Sequence, residues 1–155
     1  MSNDWTTTTT RVAAVVTLAN GEILPGQLHL QAAVARHSGQ ETPIEMLNRD
    51  EGFFPITFDD GTVCFLSRAQ VASVTCEWPE DDALEEIEAS AHPIQLEVVL
   101  VSGESFEGQA NVILPAPRSR PLDYVNSLRP FFVLRTESGP RLINRQHVRL
   151  ARPFD

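Results

Sequence analysis

Lysine is missing altogether. All twelve basic side chains among the 155 residues are arginine, a bias read here as genomic composition, although arginine does favour planar, bidentate contacts. Cysteine is nearly as scarce, with only Cys64 and Cys76. If the segments around them form a hairpin turning near Arg68, Cys64 falls opposite Ser73. A bridge to Cys76 is then out of register, and two reduced, largely buried thiols are expected. No apolar run approaches the roughly 20 residues needed to cross a bilayer, so no membrane insertion is expected. The opening stretch MSNDWTTTTTR has neither a basic start nor the apolar core of a secretory signal. Residues 1–11 are read as a disordered tail, and the expected location is cytoplasmic, in a cell of bacterial type.

Patterns that carry chemistry are also thin. His29, His37, His92 and His147 show no zinc-like spacing, and the two cysteines form no metal knuckle. No glycine loop sits between a strand and a helix where it would cradle phosphate, and no catalytic carboxylate pair stands out. The expectation is therefore no enzyme activity, no cofactor and no metal.

What is present begins with charge. Residues 1–92 hold 4 Arg against 15 acids, a balance of −11, whereas residues 93–155 hold 8 Arg against 6 acids, a balance of +2. An acidic partner or nucleic acid would prefer the second half, since phosphate binding needs concentrated positive charge. The net charge of −9 argues against a general nucleic-acid binder.

The most informative feature is an internal repeat. LANGEILPGQ from Leu18 returns as LVSGESFEGQ from Leu100, matching Leu18, Gly21, Glu22, Gly26 and Gln27 with Leu100, Gly103, Glu104, Gly108 and Gln109. At an offset of 78, Pro43, Asn48, Phe53, Phe54 and Gly61 match Pro121, Asn126, Phe131, Phe132 and Gly139. At 77, Arg68 and Val71 match Arg145 and Val148. Gaps fall only between strand-like segments.

Each copy reads as about five strands. Asn20-Gly21 is read as a two-residue hairpin turn with positive φ at both positions, and Ser102-Gly103 as its counterpart. Gly26 and Gly108 lie within the next strand, where glycine marks a bulge or the sharp bend that a small barrel needs to curl on itself. LHLQAAVARHSGQET and its counterpart ANVILPAPRSR are read as a continued strand followed by a loop. The expected fold is all-β: two homologous small Sm-like or SH3-like barrels in tandem, or two half-sheets about a pseudo-twofold. The first repeat spans 12–77 and the second 94–153. Between them, 78–93 is an acidic linker. Pro79, the acids, and Leu84, Ile87 and Ala91 on one side suggest a short helix there, against a solvated coil.

The layout resembles the Sm and Sm-like small β-barrels. Leu18, Gly21, Gly26, Leu28 and Asn48 are similar to that family's first motif, and Arg68 and Val71 to its second. The second copy offers Leu100, Gly103, Gly108, Asn126, Arg145 and Val148. The resemblance implies a small barrel fold and, through it, an asparagine able to contact a base. The layout is also similar to small bacterial domains of no known mechanism.

Several residues are candidate contacts. Asn48 and Asn126 either meet a base or cap a turn. Arg68 and Arg145 either bind phosphate or carboxylate, or pair with Glu45 or Asp123. Arg118, Arg120, Arg129, Arg135, Arg141, Arg145, Arg149 and Arg152 cluster in the second copy, with Arg145 and Arg149 expected to flank His147 on a strand face. Tyr124, Phe131 and Phe132 lie close in sequence, and aromatics beside arginines suit single-stranded nucleic acid. Paired phenylalanines equally suit a core. The functional expectation is a non-catalytic protein-interaction or scaffold module, self-associating or binding a protein partner through exposed strand edges. The alternative is a single-stranded RNA binder that uses the arginine-rich repeat.

Overall fold

In RVAAVVTL the side chains alternate between two faces, as a strand requires. In β1 (Thr9–Leu18) Ala14 and Val16 are buried while Ala13 and Val15 face outward. The computed structural model describes residues 9–31, 41–77, 92–112 and 120–154. The expected linker helix over 78–93 lies almost wholly outside them. The first strand already begins at Thr9, within the stretch expected as tail.

β1 turns towards β2 (Ile23–Gln31) through a loop of three residues, not two, closed by the Leu18 N–H donating to the Glu22 carbonyl at 2.9 Å. Gly21 alone has positive φ, at 91°. Asn20 instead accepts the Glu22 N–H on its side-chain oxygen at 2.9 Å. This is a three-residue loop ending in a left-handed glycine. Further along β2, Gly26 lies against β3 (Phe53–Thr57). A Cβ there would stand 2.8 Å from the Thr57 carbonyl oxygen, so the bend needs glycine for close approach. Gly108 meets the Arg135 carbonyl in the same way.

The remaining elements are β4 (Val63–Ser67), β5 (Val71–Cys76), β6 (His92–Leu100), β7 (Ser105–Val112), β8 (Phe131–Thr136), β9 (Gly139–Asn144) and β10 (Val148–Pro153). Two short helices, α1 (Pro43–Leu47) and α2 (Pro121–Asn126), precede β3 and β8. Among the described residues, ten strands pair antiparallel in one sheet of order β10-β6-β7-β8-β9-β5-β1-β2-β3-β4. The fold is thus all-β. The two halves share the strand order β5-β1-β2-β3-β4 and β10-β6-β7-β8-β9, and they are continuous through β5 and β9. Those are unlike edges, so the junction is not the pseudo-twofold arrangement, which would set like against like.

The cysteine geometry also departs from expectation. β4 and β5 do not form a hairpin, because a single 3-10 turn over Arg68–Gln70 carries the chain across to β1. Cys64 therefore sits opposite Ile56, and Cys76 opposite Ala14. Both are free thiols packed against the first core, and burial pushes Cys76 up to about 12. No helix among the described residues is long and apolar enough to cross a membrane.

Two hydrophobic cores result, and neither belongs to one half alone. The first gathers Val16, Leu28, Leu30, Met46, Leu47, Phe54, Ile56, Val71 and Val74, but also Phe131 and Leu142 from the second repeat. The second gathers Leu96, Val98, Leu100, Phe132, Leu134 and Ile143, together with Ala72 from the first. Strand alternation explains the exchange: neighbouring residues of β5 and β9 point to opposite cores.

Candidate interaction site

The junction is built from backbone outward. β5 pairs with β9 through Ser73–Ile143 and Val74–Leu142. Asn48, at the end of α1, then reaches across. Its amide donates to the Phe131 carbonyl at 2.9 Å and accepts the Phe131 N–H at 2.8 Å, so both main-chain groups of one residue are satisfied. Asn144 returns the favour from β9, donating to the Val71 carbonyl at 2.9 Å and the Arg68 carbonyl at 3.3 Å. His147 Nε2 lies 2.6 Å from the Ala69 carbonyl. A carbonyl only accepts, so this nitrogen carries the proton.

Arg68 is buried, and its guanidinium is engaged by main-chain carbonyls and not by Glu45. Its guanidinium donates to the carbonyls of Glu51, Phe53 (2.7 Å) and Met46 (3.0 Å), and lies 5.3 Å from the Phe54 ring centroid. Burial holds its pKa below the usual arginine value. Capturing three carbonyls fixes the end of α1 against the start of β3, which aims Asn48 at the junction. The arginine thus positions the asparagine.

At the far end of the sheet, α2 and β10 border a groove of about 420 Å³ lined by Val125, Asn126, Arg145, Val148, Arg149, Leu150 and Ala151. Three expected site residues, Asn126, Arg145 and Arg149, meet here. Arg145 is exposed and donates to the Leu128 carbonyl. Three other arginines are engaged elsewhere: Arg120 pairs with Asp123 at 3.1 Å, Arg152 with Glu97 at 3.4 Å, and Arg141 lies 4.2 Å over the Phe106 ring. Arg118 lies outside the described residues. Tyr124, Phe131 and Phe132 are buried in the cores, not offered for stacking. Arg145 and His147 share a 3-10 turn, so they do not flank one strand face with Arg149. Among the described residues no group of three His, Cys, Asp or Glu side chains gathers as a metal site.

No protein-family model, curated protein or solved structure matches this chain. The site must therefore be interpreted from its own chemistry.

Sequence reasoning missed the two helices and the function of Asn48. The helix signal was present: Thr42 opens a capping box with Glu45 (Glu45 N–H to Thr42 at 3.3 Å, Thr42 N–H to Glu45 at 2.9 Å), with Pro43 at the first helical position. Asp123 similarly accepts the Arg120 N–H at 3.3 Å. The reach of Asn48 to a residue 83 positions away had no local signal.

Proposed function

We propose that the protein is a non-catalytic interaction or scaffold module, a tandem of two small Sm-like or SH3-like units that binds protein through its open strand edges. The observation that carries this reading is the state of the two end strands. Among the described residues, β4 pairs only with β3, and β10 only with β6. An unpaired edge offers its outward N–H and C=O groups to an added strand. The β4 edge is apolar as well. Phe53 is 62% exposed, Val63 50% and Phe65 73%, an exposure that marks an interaction surface.

A photo-crosslinking side chain placed at Phe65 tests the reading in cells. Protein adducts that disappear when Phe53 is changed to Asp are the expected result. Absence of protein adducts, or adducts to RNA alone, would overturn it. The single-stranded RNA alternative has its own readout, which is salt-sensitive binding that is lost when Arg145 and Arg149 become alanine.

A further inference from the structure

The closed junction and the two open ends are made of equivalent residues. The offset of 78 maps Asn48 to Asn126 and Phe53 to Phe131, and the offset of 77 maps Phe65 to Leu142 and the β5 segment Val71–Val74 to 148–151 on β10. The groove beside β10 is thus the second repeat's version of the surface on which β8 and β9 sit in the first. What fills the first surface is known: Phe131, 2% exposed, and Leu142, fully buried. Their first-repeat equivalents are Phe53 and Phe65, the exposed phenylalanines of the β3–β4 edge.

Burial follows this correspondence on both sides. Leu47, Val71 and Val74 are buried in the closed junction, while Val125, Val148 and Ala151 are only partly covered. Ile44 on α1 is partly covered, whereas its counterpart Leu122 on α2 is 63% exposed. Each open end looks like one half of the junction with its partner removed.

We propose that the chain assembles head to tail with further copies of itself. β4 of one chain docks along β10 of the next, Phe53 enters the groove, and the Asn126 amide bonds both main-chain groups of Phe53, as Asn48 does for Phe131. This deepens the interaction-module reading and rests on it. The internal register sets the new one: Leu150 faces Leu66, and Ala151 faces Phe65. The polar contacts keep their donors. Ser67 stands in for Asn144 with a shorter one, and Gln70 stands in for His147 with its side-chain amide.

One apolar position is lost, since Arg149 replaces Ala72. Because the contact joins unlike surfaces, it repeats until a ring closes, or it runs on as a filament.

The test is the mass of the purified chain, read by sedimentation and native mass spectrometry over a concentration series. A mass that is a multiple of the chain's own is expected. Phe65→Asp, which spoils the edge, and Ala151→Arg, which fills the groove, should each abolish it. Both positions are solvent-accessible, and an unchanged circular dichroism spectrum and melting transition confirm that the variants fold. Mixed in equal amounts, the two variants should form a complex of two chains and no more, because each retains the half that the other lacks. A wild-type chain that is monomeric at every concentration overturns the proposal, as does an oligomer that survives both substitutions or a mixture that forms no pair. If the purified chain is monomeric while the position-65 crosslink still captures a different protein, self-assembly fails and the interaction reading stands. If the crosslink captures no protein either, both fail.

Discussion

Asn48 and Asn126 are the same residue in the two repeats, yet one is locked and the other open. Asn48 holds the main chain of Phe131 with two hydrogen bonds, whereas Asn126 stands exposed at the rim of a groove. Arg68 and Arg145 differ likewise: both donate to carbonyls, but Arg68 is buried and Arg145 is exposed. The difference comes from what lies beyond the residue. In the first repeat β8 and β9 cover α1 and β5; in the second, no described strand pairs with the outer edge of β10. A basic side chain in such a position is therefore a poor guide to ligand binding until its neighbour is known.

The comparison is sharpest at the phenylalanines. Phe131→Ala should cost about 3–5 kcal/mol, because it opens a cavity in the first core. Phe53→Ala should cost no more than about 0.5 kcal/mol in the Ala151→Arg background, where no neighbour would cover it. Denaturant midpoints read both. Equal costs would break the comparison by showing that Phe53 is already packed within its own chain.

Asn48→Ala ranks next. It leaves the buried N–H and carbonyl of Phe131 without their partner, at about 1–3 kcal/mol. Asn126→Ala in the same background should fall within about 0.5 kcal/mol of neutral. Equilibrium unfolding separates the two asparagines even if both variants fold.

Ser73→Ala should act in the opposite direction. Its hydroxyl is buried at the junction with no hydrogen-bond partner among the described residues, where the second repeat has Leu150. Removing it should raise stability by about 1 kcal/mol, seen as a higher melting temperature.

The smallest effect is a pH slope. His29 lies 2.7 Å from the Thr57 hydroxyl, and burial first, then the nearby Arg11 charge, hold its pKa below 6.5. The unfolded chain binds the proton more readily, so the stabilising contribution is complete above 6.5 and is lost as the pH falls through the lowered value. The corresponding residue of the second repeat is Asn111, so His29→Asn should flatten this part of the slope. Denaturation followed between about pH 7.5 and about pH 5 checks it.

Local chemistry made much of the fold legible. Alternation in RVAAVVTL, glycines at Gly21 and Gly103, and the close-approach glycines Gly26 and Gly108 act within a few residues, so strands, turns and bends could be read directly. The capping box at Thr42 and the Asp123 carboxylate that accepts the Arg120 N–H are equally local signals of the two helices. The cysteine register failed because a three-residue helical turn after β4 changes which strand becomes the neighbour, and no residue near Cys64 announces that.

The sequence by itself determined an all-β chain, a residue pattern written twice along it with about five strands each time, and the polarity between an acidic first half and an arginine-rich second. These follow from side-chain periodicity, turn geometry and charge, which are properties of short segments. Only the tertiary structure decided that β5 joins β9, that Asn48 closes on Phe131, and that Phe53 and Asn126 remain open. Strand pairing between distant edges depends on backbone groups that are alike in every residue. Which edges meet is therefore settled by the shapes and apolar faces of the folded units, not by any motif that could be read along the chain.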